Sequence, residues 1–208
     1  MTPKWLKTLL LVVLLGLPVL LYLFLQRFGE NKYQVPVFYE QGIDNAVSPD
    51  CPEHQTTHRI NRYNASGTNL AHSLLNERIT VVGFAQSGCD FESSSELASI
   101  CNQFKRESNF RAITMAVDTS AVSIKHTELV QQYIIPADVW TLLPYQTDTR
   151  NLVQCGFNLK LDCNLSQQLI LVDPESRIRG YYLITDANEM DRLAMEINIL
   201  LQENSADQ

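Results

Sequence analysis

The stretch that most constrains this 208-residue chain runs from Ile79 to Phe104. It reads as a strand, Ile79-Thr-Val-Val-Gly-Phe-Ala85, then a break at Gly88, a cysteine at position 89, and a helix entered through a run of serines. From about Ser94 to Glu107, Leu97, Ile100, Cys101 and Phe104 fall at i, i+3, i+4 and i+7, the spacing of one helix face. Ser93 followed by Glu96 is a capping-box pair. The layout predicts Cys89 at the mouth of a helix, where unpaired N–H groups and the helix dipole favour thiolate, the form that attacks disulfides and binds soft metals. Four residues on, where a C-x-x-x-C site has its second cysteine, stands Ser93.

Downstream periodicity extends this unit. A second strand is expected over Ala112 to Val117, and a helix from about Val122 until Pro136 stops it near Ile135. Next come a short strand, Trp140 to Leu143, and a helix near Asp148 to Cys155 closed by Gly156. Strands Gln168 to Val172 and Ile178 to Ile184 are joined by the turn Asp173-Pro-Glu-Ser176. The final helix, Asn188 to Gln202, has one apolar face of Met190, Leu193, Ala194, Ile197, Leu200 and Leu201. The order β-α-β-α-β-α-β-β-α, parallel at first and an antiparallel hairpin at the end, predicts an α/β thioredoxin-like fold: a central mixed sheet flanked by helices. A right-handed crossover places the Cys89 turn at the carboxyl end of the first strand, where open α/β sheets usually carry their sites.

Three segments follow from this reading: an N-terminal anchor over 1–29, an extended arm and hairpin over 30–76, and the α/β domain over 77–208. In the first, an uninterrupted apolar run of 17 residues, Leu9 to Leu25, follows Lys4 and Lys7. It is just long enough for a bilayer core of about 30 Å and lacks a small-x-small cleavage pattern, so an uncleaved signal anchor is expected; a cleaved signal peptide is the alternative. Lys4 and Lys7 would stay cytoplasmic, so the rest of the chain is expected on the outer side; for a bacterial chain that is a single pass of the inner membrane with the domain in the periplasm. Beyond the anchor lie thirteen basic and twenty-three acidic residues, a formal −10. That balance argues against nucleic acid or anionic lipid as a partner. In the arm, Val35-Pro-Val-Phe-Tyr39 is expected as an edge strand, the place where Pro36 is tolerated.

The motifs taken together are similar to those of the Sco/SenC family, thioredoxin-fold proteins anchored by one N-terminal helix and associated with copper delivery to cytochrome c oxidase. The family's C-P-x-x-C-P-T/x-E-L pattern falls without a gap on Cys89-Asp-Phe-Glu-Ser93-Ser-Ser-Glu96-Leu97. Val117-Asp118, Trp140 to Leu143, Leu171-Val-Asp-Pro174 and Arg177-Ile-Arg-Gly-Tyr-Tyr182 carry further likeness. The first family cysteine matches Cys89, the second falls on Ser93, and the family's histidine ligand falls on Leu165. A soft Cu(I) site wants two thiolates and an imidazole, which serine and leucine do not supply, so ordinary copper binding is not implied. The resemblance therefore implies the fold and a role in respiratory-oxidase assembly, or with another envelope protein, as a degenerate, non-enzymatic binding module.

An alternative rests on Cys163, two residues before Leu165 on an extended segment, so that it faces the same side. Cys163 facing Cys89 gives either a disulfide or a two-thiolate metal site, and a thiol-active redox or Cu(I)-transfer protein. Open beside it are a Cys155 to Cys163 disulfide and unrelated thiols; with five cysteines, at least one is unpaired within the chain. Cys101 is expected to pack as a small hydrophobe on its helix stripe. Cys51, His54 and His58 have a C-x₂-H-x₃-H spacing compatible with zinc, but only three ligands and no visible fourth, so chance is the better reading. His72 and His126 are expected to be solvated, and Asp118 is expected either near the site or as a helix cap.

Overall fold

The computed structural model describes residues 4–28, 34–43, 51, 57–60, 75, 77–89, 93–119, 123–146 and 149–206. The chain divides into two compact units, Met1–Gln34 and Val35–Gln208. The first is built on α1, Lys4–Phe28, a 25-residue helix with Pro18 inside it. Its side chains are described at 5 and 13–24, and those from Val13 to Phe24 are largely exposed. Among the described residues no helix is long and apolar enough to cross a membrane.

The second unit is organised by a five-stranded sheet in the order β3-β2-β1-β4-β5. Its strands are β1 (Ile79–Ala85), β2 (Phe110–Ala116), β3 (Trp140–Leu143), β4 (Gln168–Val172) and β5 (Ile178–Leu183). The first three run parallel, and β4 and β5 run antiparallel to β1 and to each other respectively. Helices α2 (Ser93–Phe104) and α3 (Ser123–Tyr133) connect the parallel strands, and α4 (Ala187–Ala206) follows the hairpin. This is the thioredoxin-like order expected: a βαβ start with the first strand central, closed by an antiparallel hairpin and a helix. Element boundaries move by one to four residues, as helix ends and strand ends commonly do.

The alternation of strand side chains explains the near-continuous apolar runs. Ile79 and Val81 of β1, with Leu169 and Leu171 of β4, enter one core, packed by Leu97, Cys101 and Phe104 of α2 and Leu193, Ile197 and Leu200 of α4. Val82 and Phe84, with Ile170 and Val172, enter the opposite core, covered by Ile60, Leu75, Leu152, Val153, Phe157 and Leu165. One sheet face thus buries helices in the usual α/β manner, while the other is covered by arm and loop.

Residues 34–43 form a bend rather than the expected edge strand. Pro36 has no N–H to give a ladder; the bend is held instead by Phe38 N donating to Ile178 O, and by the Arg179 guanidinium donating to the carbonyls of Val35 and Pro36. Arg179 is itself paired with Asp173, which is 1% exposed and also takes Arg177. Asp173 Oδ1 further accepts from the backbone N–H groups of Glu175 and Arg177, shaping the turn between β4 and β5. The expected helix before Gly156 is one α-turn, Thr149–Asn151, running into a π-turn, Leu152–Gly156, closed by Phe157 N on Leu152 O.

Candidate functional site

At the carboxyl end of β1 the chain passes through Gln86 and Ser87 to Gly88, whose φ of +75° suits glycine, and then to Cys89. The turn is tied from the neighbouring strand's end: both the N–H and the hydroxyl of Ser87 donate to Asp118 Oδ2, each at 2.7 Å. Asp118 therefore reaches back to the Cys89 turn, the first of the two roles expected of it. Helix α2 begins at Ser93, four residues after Cys89. The Ser93 side chain lies outside the described residues, and with it the capping box; Glu96 accepts a hydrogen bond from the Ser95 hydroxyl at 2.6 Å.

Facing this turn is a 3-10 turn, Cys163–Gln167, that leads into β4. Its entry is held by Asp162, whose Oδ1 accepts from Asn164 N at 3.0 Å, and by Ser166, whose hydroxyl donates to Cys163 O at 2.8 Å. Cys89 and Cys163 are joined by a disulfide, with Cα atoms 5.3 Å apart. The sheet register explains the meeting. Because β1 and β4 are antiparallel neighbours, the carboxyl end of β1, which leads to Cys89, and the amino end of β4, which follows Cys163–Gln167, lie at the same end of the sheet; the segment at Cys163 is a 3-10 turn and not the extended backbone expected. Cys163 is an exposed residue and Cys89 a half-buried one.

Cys155 is joined not to Cys163 but to Cys51, across 104 residues, with Cα atoms 5.3 Å apart. Sequence reasoning missed this pair because no local pattern links an arm cysteine to a π-turn so distant. The pairing also removes the zinc reading, since the Cys51 sulfur is held in a disulfide. His58 is buried, with Nε2 at 2.6 Å from Gly156 O, while His54 lies outside the described residues, as does His72. Cys101 is the free cysteine; it is fully buried, and burial pushes its thiol far up.

His126 is half-buried rather than solvated. Its ring stands edge-on to Trp140 with centroids 4.6 Å apart, and its Nε2 is buried without a hydrogen-bond partner. Burial holds its pKa below the ordinary histidine value.

The donor set does not fit a copper site of two thiolates and an imidazole. Leu165 is 1% exposed and packs in the second core, serine offers no sulfur at 93, and the sulfurs of Cys89 and Cys163 are bonded to each other. What the arrangement can do is thiol-disulfide exchange: the sulfur absent at position 93 has a counterpart from the facing turn.

No protein-family model matches the sequence, and no curated protein matches it. Solved structures do. BsSco, a member of the Sco family of cytochrome c oxidase assembly proteins in which a disulfide switch was identified, is 14% identical over 63% of this chain and 84% of its own, with a TM-score of 0.49. A SCO1/SenC family lipoprotein from Bacillus anthracis is 14% identical over 61% and 83%, also at 0.49. The thioredoxin domain of a thiol-disulfide oxidoreductase from Bacteroides vulgatus is 16% identical over 60% and 81%, at 0.41. These structural neighbours are Sco/SenC family proteins and a thioredoxin-like oxidoreductase.

Proposed function

We propose that this chain is a membrane-anchored thiol-disulfide exchange protein of the bacterial cell envelope, with Cys89 and Cys163 as its reacting pair. The observation that carries the reading is the disulfide at the carboxyl end of the central strand, one of whose cysteines, Cys163, is an exposed residue. A partner thiolate attacks the sulfur of Cys163, the more exposed residue of the pair, forms a mixed disulfide and releases Cys89 as thiolate. A second partner thiolate then attacks the partner's own sulfur in that bond, leaving the partner oxidised and Cys163 released. Two electrons pass to this chain, and the protons given up by the partner's two thiols balance those taken up by the two cysteines.

The anchor belongs to the same proposal: the apolar run Leu9 to Leu25 behind Lys4 and Lys7 supports a single span with the domain in the periplasm, an oxidising compartment where a disulfide persists. The motif likeness to the Sco/SenC family points to the respiratory oxidase, or another envelope protein, as the client. Copper enters no step. A binding module with an inert disulfide is the competing reading, and the exposure of Cys163 favours exchange over it.

Equilibration of the full chain in non-ionic detergent with graded dithiol and disulfide buffers, followed by acid quench, alkylation and peptide mass spectrometry, tests the proposal. Cys89 and Cys163 should titrate together as a two-electron couple. A pair that resists reduction until the domain unfolds would establish the inert module instead.

A further inference from the structure

We infer that the Cys89–Cys163 disulfide selects a partner thiol carried on a positively charged surface; the inference rests on the exchange reading above and concerns its specificity. Each half of the disulfide is held by an aspartate. Asp118 takes both hydrogen bonds from Ser87, two residues before Cys89, and Asp162 caps the turn that begins at Cys163. These carboxylates fix the two turns, and they bring negative charge to the turn that carries each cysteine. Asp162 is exposed and directly precedes Cys163 in the chain. Lys160, also exposed, lies three residues before Cys163. The charge beyond the anchor, a formal −10, has the same sign.

The consequence follows from the chemistry of exchange. The attacking species is a thiolate, already an anion, and it must come to bonding distance of a sulfur in a turn held by a carboxylate. A second negative charge on the attacking molecule adds repulsion, and a positive charge offsets it. Such effects act within about 8–10 Å at ordinary ionic strength and are screened by salt. A partner whose cysteine sits among lysines or arginines meets the disulfide favourably, whereas an acidic thiol such as glutathione meets it slowly.

The test uses the full chain in non-ionic detergent and three small thiols: cationic cysteamine, neutral 2-mercaptoethanol and anionic mercaptoacetate. Rates of opening Cys89–Cys163 are read by quench and alkylation, expressed per thiolate, and normalised to each thiol's rate with a neutral small disulfide. At low ionic strength cysteamine should exceed mercaptoacetate by about tenfold, with 2-mercaptoethanol between them. At about 1 M salt the ratio should fall to within about twofold, because the Debye length shrinks to about 3 Å. Asp162→Asn keeps a good capping side chain while removing the charge, and should narrow the low-salt ratio. A ratio within twofold at low salt, or one unmoved by salt or by Asp162→Asn, overturns the inference while exchange itself stands. Failure of all three thiols to open the bond overturns the exchange reading, and this inference with it.

Discussion

Cys89 and Cys163 are 74 residues apart in the chain, yet their Cα atoms lie 5.3 Å apart, because the antiparallel pairing of β1 with β4 brings the turn after β1 and the 3-10 turn before β4 to the same end of the sheet. The thiol that a C-x-x-x-C site takes from its own helix is here supplied by the opposite turn. The two halves of the pair therefore sit on different elements, joined by the sheet and by the bond itself.

The two disulfides should separate on reduction. Cys163 is exposed, whereas Cys155 is 3% exposed and packed in the second core. Attack requires access to a sulfur, so mild dithiol treatment under native conditions should label Cys89 and Cys163 first, with Cys51 and Cys155 following only as the domain opens. Time-resolved alkylation with mass spectrometry reads the order, and earlier labelling at 51 and 155 would contradict the assignment of the reacting pair.

Replacing Cys51 and Cys155 together by serine should cost stability without removing exchange. The bond closes a loop of 104 residues, for which chain-entropy reasoning gives about 4–5 kcal/mol as an upper figure, and native disulfides more often contribute about 2–4 kcal/mol. Urea unfolding of the double variant should show a lowered midpoint, while the Cys89–Cys163 couple still titrates. Loss of that couple in a variant that remains folded would show that the Cys51–Cys155 and Cys89–Cys163 disulfides act as one unit.

Leu165→His tests whether the histidine position of the family pattern still faces a site. Leu165 is 1% exposed among Val82, Phe84 and Ile170, so an imidazole there meets an apolar core and should destabilise the domain by about 2–4 kcal/mol. Anaerobic Cu(I) titration of the reduced variant should show no gain over the reduced parent. A folded variant with a new tight site would mean that position 165 can turn outward to the cysteines.

Acid should weaken the fold through His126. Its folded pKa lies below the ordinary value of 6.5 because burial disfavours the charged ring, so the folded state prefers the neutral form. The unfolded ring takes up its proton as pH falls through about 6.5, and the folded ring only at lower pH. The stability contributed by the neutral ring is therefore present above about 6.5 and lost as pH falls through the depressed folded value. Denaturation midpoints at pH 8 and pH 5 should differ less in His126→Gln than in the parent. Equal differences would assign the acid sensitivity elsewhere.

Much of the domain is legible without coordinates, for reasons particular residues make plain. The spacing of Leu97, Ile100, Cys101 and Phe104 makes a helix that can bury only one face, and burial of Cys101 follows from that stripe. The apolar runs through Ile79 to Ala85 and Gln168 to Val172 mark strands, and Asp173 with Pro174 marks the turn between β4 and β5. The bend at 34–43 was harder, since Val35 to Tyr39 has strand-like residues. Its path is decided by Arg179, which is far off in sequence and binds the carbonyls of Val35 and Pro36. His126 likewise shows no local sign of the Trp140 ring beside it.

Local chemistry, acting over a few residues, determined the elements, their order and the turn that carries Cys89. Periodicity, caps and turn residues operate within a helical turn or a strand, and a linear chain records them directly. The pairing of four cysteines among the possible partners depends on which loops the sheet register and the arm bring together, across 74 and 104 residues. Only tertiary structure decided that, because side chains this distant meet through the packing of all the elements between them, and no short segment contains that information.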